Sequence, residues 1–265
     1  MSGTVENLYN NWEEFCKLVT SEWRYTFFLD KDLDGNSVSD VLADIVRFIK
    51  DEPELTPVLS ARTPIFRGRT FTYLDDKACT VEALGAPRKE HVRFPNRFNP
   101  IGIPVFYGAL EKETAKEEVA GDKPYLVIGE FYNTQPIKVI DLRTAQALSR
   151  ALLKLSKSLT DETKNELLFL DSLAYSLTQP VHNELLLDYI PMQIFAEYVR
   201  RVGKNELGVL GIKYPSTHNR KGTNLVLFYG ADDCKSIAKE ADDCLVLNET
   251  YVYKRDVPYT WINLE

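Results

Sequence analysis

The chain has 265 residues, 44% of them hydrophobic, enough to bury a sizeable core in one large domain or one domain plus an extension. Its formal net charge of −7 argues against a general nucleic-acid coat, which needs clustered Lys and Arg. Four scattered cysteines without a CxxC pair, and only three histidines, speak against structural zinc and for a reducing compartment.

Met1 to Tyr9 lacks a basic region followed by an apolar core, so no signal peptide is expected. The first helix is marked by Leu8, Trp12, Phe15, Cys16 and Val19, whose spacing of three and four residues makes one apolar stripe. A polar break over 30–36 follows. Its start, Asp30-Lys31-Asp32-Leu33-Asp34-Gly35, looks like a calcium loop, but the twelfth position is Val41 where a bidentate Glu is needed, so a polar turn is expected. A second helix runs through Val38, Val41, Leu42, Ile45, Val46 and Ile49, with Ser37 or Ser39 as N-cap, and Pro53 and Pro57 end it.

From Thr63 the pattern changes to strands over 65–67, 105–107, 125–131 and 137–142, rich in aromatic and β-branched residues, with a short helix over 114–119 between the second and third. Helices are expected over 145–156, 163–177 and 191–202, then strands over 210–214, 224–228 and 244–253. The most apolar stretch, 167–177, is broken by Asp171 and too short to cross a bilayer, so a cytoplasmic protein with neither membrane nor nucleic-acid partner is expected. Strands scattered among helices without a βαβ rhythm predict an α+β fold with a mixed or mostly antiparallel sheet.

No GxGxxG fingerprint and no GxxxxGK[ST] phosphate loop occurs. Arg62, Arg67, Arg69, Arg88, Arg93 and Arg97 nevertheless lie close together in sequence, and a local anion site can sit inside an acidic protein. Between Asn96 and Glu118 the chain sets a cation (Arg97), a strand tyrosine (Tyr107) and a carboxylate on a short helix (Glu118) within one segment. Phosphates call for the first, flat rings for the second, and a developing sugar cation for the third.

These segments resemble the RES domain family. Phe66-Arg67-Gly68-Arg69 looks like its opening strand, with Arg67 as the better match to the first arginine; Arg97 in Asn96-Arg97-Phe98-Asn99-Pro100 resembles the second. Tyr107 matches the strand tyrosine, Glu118 the acidic residue after Thr114-Ala115, and Ser216 the serine of the late Tyr214-Pro215-Ser216 strand. The stretch 188–200, with Pro191, Gln193 and Glu197, is similar to the helix before it, and the segment from Trp12 to Tyr25 to a helical extension on longer members. The resemblance implies an ADP-ribosyltransferase-like core over 59–265 with a helical extension over 1–58. It further implies cleavage of NAD at the nicotinamide–ribose bond by a toxin, with water or phosphate as acceptor and a cognate antitoxin as partner. No metal is expected; a homodimer is a sound expectation for a soluble enzyme.

Within that frame Glu118, Arg67 and Tyr107 form the catalytic set, with Glu118 at its centre because a fixed carboxylate stabilises positive charge on the ribose more in the transition state than in the ground state. Glu117 directly precedes it, so the register is open by one position. Arg67 and Arg97 are expected to hold the diphosphate through paired charge-assisted bonds, with Arg69 and Asn99 completing the cofactor-binding set. Tyr107 offers a ring face for nicotinamide or a hydroxyl for the ribose, or packs in the core. Ser216 offers a small donor and acceptor for the amide or a phosphate, not a nucleophile, since no base adjoins it in sequence. Two alternatives are transfer of ADP-ribose to a protein or nucleotide, and a non-catalytic module whose N-terminal stripe recruits a partner.

Overall fold

The structure is a computed structural model that describes residues 8–29, 40–119, 123–153, 160–178, 186–239, 242–256 and 260–264. The calcium-loop look-alike at 30–35 and the caps Ser37 and Ser39 lie outside the described residues. Two compact units form. One gathers Met1–Pro57, Phe94–Pro100 and Ile140–Val209; the other gathers Val58–Arg93, Ile101–Val139 and Leu210–Glu265.

The first unit is helical. Helices α1 (Leu8–Ser21) and α2 (Asp40–Asp51) bury the stripes read from sequence: Leu8, Trp12, Phe15, Leu18 and Val19 on one, Val41, Leu42, Ile45, Val46 and Ile49 on the other. Cys16, expected within the α1 stripe, sits at its margin and is half-buried. Trp12 is the centre of this core, stacked on Phe15 at 5.3 Å and meeting the edges of Phe169 and Phe195 at 6.3 Å each. Phe169 belongs to α6 (Asp161–Thr178) and Phe195 to α7 (Ile190–Tyr198). The α1 stripe is therefore spent on the chain's own helices, which removes the observation that favoured a partner-recruiting module.

Helix α5 (Leu142–Leu153) begins three residues before its expected start. The reason is local: Asp141 accepts from Thr144 N at 2.9 Å and from Thr144 Oγ1 at 2.8 Å, so its carboxylate caps the first turn and ends the preceding strand. Helix α7 passes through a π turn, Val199–Gly203, into α8 (Lys204–Leu207), and Gly208 stops it at φ +70°, a left-handed conformation suited to glycine.

The second unit is built on a mixed sheet. Its strands are β1 (Val58–Leu59), β2 (Pro64–Phe71), β3 (Phe106–Ala109), β4 (Tyr125–Asn133), β5 (Ile137–Asp141), β6 (Val209–Pro215), β7 (Thr223–Leu227), β8 (Cys234–Lys235), β9 (Leu245–Asp256) and β10 (Thr260–Asn263). Among the described residues the order is β1-β5-β6-β7-β3-β2-β4-β9-β10. Antiparallel pairs such as β2–β4, β3–β7 and β4–β9 dominate, while β8 runs parallel to β9. This is the α+β class expected. Three strands escaped the sequence reading, β1, β8 and β10, because two to four residues are too few to show a period.

Register sorts the side chains onto two faces. Ile65, Phe106, Val127, Phe131, Leu225 and Leu227 share one buried cluster, with Phe106 and Phe131 edge to face at 5.0 Å. The other face carries α4 (Lys112–Glu117). That helix sits so close that a Cβ on Gly68 would lie 2.6 Å from Val119 Cγ2 and 2.9 Å from Ala115 O. Gly68→Ala should force α4 off the sheet and lower stability by about 1–3 kcal/mol, as overpacking does, read from the urea midpoint.

Candidate functional site

The residue after α4 is Glu118, the C-cap of that helix. Helix α4 begins two residues before the expected 114 and ends at Glu117, yet it still turns Glu118 toward the sheet while leaving Glu117 exposed. Glu118 Oε1 accepts from Ser216 Oγ at 2.5 Å and from Asn224 Nδ2 at 2.7 Å. Oε2 takes neither bond and faces His218 Nδ1 at 3.3 Å, and the Glu118 side chain keeps 28% of its surface open. One oxygen is anchored by neutral donors; the other presents the charge.

The anchor is itself over-determined. Ser216 follows β6 and opens the 216–222 loop that turns into β7. Its Oγ accepts from His218 N at 3.2 Å and Asn219 N at 2.9 Å, so both lone pairs are engaged and its single proton is directed at Glu118. In this arrangement the hydroxyl proton is held by the Glu118 carboxylate. The loop is clamped to α4: Asn219 Nδ2 donates to Thr114 Oγ1 at 3.2 Å, and Gly222 lies so near Thr114 that no Cβ would fit. Glu111, at the N-cap position, accepts from Thr114 Oγ1 at 2.9 Å and Thr223 N at 2.8 Å.

Tyr107 stands on this same face. β3–β7 register pairs Tyr107 with Val226 and Ala109 with Asn224, so Tyr107 and Asn224 are diagonal neighbours on one side of the sheet. Structure thus brings Glu118, Ser216 and Tyr107 to one region.

It does not bring Arg67 and Arg69 there. Both alternate with Gly68 and leave β2 on the opposite face, where the Arg67 guanidinium lies 5.4 Å from the Phe106 ring centre and donates from Nη1 to Tyr107 O at 2.6 Å. Arg67 and Arg69, expected in one cofactor-binding set with Tyr107 and Ser216, thus stand on the other face of the sheet from Tyr107, because strand alternation overrides closeness in sequence. Arg97 and Asn99 belong to the helical unit. There Arg97 lies 5.8 Å from the Tyr189 ring centre, Asn99 is buried with its Nδ2 on Pro100 O at 3.3 Å, and Gln193 Nε2 donates to Asn96 O at 2.8 Å.

Asn224, His218 and Glu111 were missed as site residues. Asn224 left a readable trace: a lone amide at the head of the apolar run Asn224-Leu225-Val226-Leu227-Phe228, and buried polar groups need partners. His218 and Glu111 left none, since their roles depend on how the loop closes on α4. Ser216→Ala should remove one anchor of Oε1 and lower stability by about 1.5–3 kcal/mol, the worth of a hydrogen bond to a charged group, read from the urea midpoint.

Among the described residues no three His, Cys, Asp or Glu side chains cluster as a metal site, and no helix is long and apolar enough to cross a membrane.

An α+β domain that holds a half-open carboxylate between a helix C-terminus and a strand loop is the class this site defines. The RES domain model matches residues 77–261, and the chain belongs to that family, one linked in general to NAD-related toxin–antitoxin systems. The matched range contains Arg97, Tyr107, Glu118 and Ser216 and begins after β2, so Arg67 and Arg69 fall outside it. Neither a curated protein nor a solved structure matches the chain.

Proposed function

We propose that this chain is an enzyme of ADP-ribosyltransferase-like type that cleaves NAD at the nicotinamide–ribose bond and passes ADP-ribose to water or phosphate, acting as an NAD-depleting toxin or defence effector. One observation carries the proposal: the Glu118 carboxylate, with Oε1 tied to Ser216 and Asn224 and Oε2 outside both bonds, facing His218.

The chemistry follows from the leaving group. Nicotinamide in NAD carries positive charge, so when the C1′–N bond breaks its electron pair stays on the ring nitrogen and neutral nicotinamide departs without a proton donor. Positive charge then spreads over C1′ and the ring oxygen of the ribose. A carboxylate already fixed by two donors needs no reorganisation to meet that charge, which is where electrostatic preorganisation contributes most. Water then attacks C1′ and releases a proton, giving ADP-ribose; phosphate gives the 1-phosphate ester instead. Tyr107, on the same face, would support the nicotinamide ring or the ribose. The diphosphate role of Arg97 rests on its Asn96-Arg97-Phe98-Asn99-Pro100 motif alone, and Arg97→Ala tests it through the affinity for NAD.

Proton and phosphorus NMR of NAD with the purified protein, with and without phosphate, tests the activity. Nicotinamide and ADP-ribose, or its phosphate ester, should accumulate. Intact NAD would refute cleavage, and label retained on a macromolecule would convert it to transfer. Growth arrest on expression, relieved by a co-expressed antitoxin, is the expected cellular result.

A further inference from the structure

The face of the sheet away from Glu118 holds two arginines without a counter-charge. Arg67 and Arg69 sit two positions apart on β2, and among the described residues neither has a carboxylate within ion-pair distance. Their bonds go to backbone carbonyls: Arg67 Nη1 to Tyr107 O at 2.6 Å and Arg69 Nη2 to Gly85 O at 3.2 Å. The Nε atoms of both are buried with no acceptor among the described residues. Burial and then the neighbouring Arg69 push Arg67 down to about 9, which still leaves it charged at neutral pH. Cys234 beside them is no counter-ion, because burial pushes its thiol up to about 11. A like-charged pair taken out of water raises the free energy of the fold unless an anion joins it.

The space for that anion is present. A cavity of about 440 Å³ opens here, lined among others by Arg69, Cys234, Arg88, His91, Glu82 and Asp232. Its size falls within the range of about 300–1,000 Å³ usual for small-molecule sites. Arg88 and His91 are exposed and can close on a ligand, and the exposed Glu82 and Asp232 can accept from hydroxyl groups. Arg69 is the half-buried cation at the wall, and a guanidinium fork matches phosphate oxygens in pairs.

We infer that this cavity is a binding site for a phosphate group, free or carried on a small hydroxylated molecule, held by Arg69 and Arg88 on the face of the sheet opposite Glu118. The inference is independent of NAD cleavage, since binding there is read without turnover.

Thermal melting of the full chain in phosphate-free buffer, at constant ionic strength, tests it with inorganic phosphate and with ribose 5-phosphate as probes. Both should raise Tm in a saturable way; a response at lower ribose 5-phosphate concentration assigns an ester, and an equal response assigns the free anion. Arg69→Met should melt no lower than the unaltered protein without ligand, because it removes a half-buried charge that has no carboxylate partner among the described residues, and should lose the ligand-dependent rise. Arg88→Ala, at an exposed position, should raise the half-saturating concentration about tenfold, the equivalent of one charge-assisted contact. Glu118→Gln should keep the full rise, which separates this site from the one proposed for NAD. No rise with either probe, or an undiminished rise in Arg69→Met and Arg88→Ala, overturns the inference.

Discussion

Glu118→Gln should lower NAD cleavage by about 10²–10³, the usual cost of removing one preorganised electrostatic group. Glutamine keeps an oxygen that can accept from Ser216 Oγ and Asn224 Nδ2, so the anchor and the fold survive while the charge on the outward position is lost. The loss should fall on kcat, with KM nearly unchanged, because the charge matters only once the ribose becomes cationic. Glu117→Gln is the control. Its side chain is exposed at the end of α4, so its turnover should stay within about twofold, as substitutions of solvated surface charges usually do. Full turnover in Glu118→Gln, or an equal loss in Glu117→Gln, would remove the assignment.

Phe131→Ala should destabilise the sheet unit by about 3–5 kcal/mol, the sum of lost transfer energy and an unfilled cavity. Phe131 is wholly buried, meets Phe106 edge to face at 5.0 Å, and belongs to the cluster that also holds Ile65, Val127, Leu225 and Leu227. Gly129 would allow little collapse into the void, because its lack of a side chain is what accommodates the Phe131 ring: a Cβ there would lie 2.9 Å from Cε2. Folded domains hold only about 5–15 kcal/mol in reserve, so the variant should show a much lower urea midpoint and faster amide exchange in β2, β3 and β4. A loss below about 1 kcal/mol would mean that this face repacks freely, against the close packing expected of interiors.

The long elements and the carboxylate were legible in the chain. Stripes such as Val41, Leu42, Ile45, Val46 and Ile49 fold into helices wherever an apolar partner exists, and β-branched runs such as 125–131 form strands for the same reason. Glu118 was found because Thr114-Ala115, Tyr107 and the Tyr214-Pro215-Ser216 strand precede or follow it in a recognisable order. Asn224 and His218 were not: Asn224, 106 positions away, meets Glu118 only after β7 has paired with β3, and His218 only once the loop before β7 has closed. The capped start of α5 at Asp141 was also out of reach, because a cap is a single carboxylate without any period.

The α+β class, the membership of the RES family and the choice of Glu118 as the candidate carboxylate could all be read from the chain alone, because local pattern and motif order carry them. Which face each charge occupies became readable once the strands had paired. Alternation along β2 sends Arg67 and Arg69 away from Glu118, although the sequence sets them in the same stretch. The physical reason is that a strand reverses its side chains at every residue, so one intervening glycine pressed against a helix fixes the direction of both neighbours.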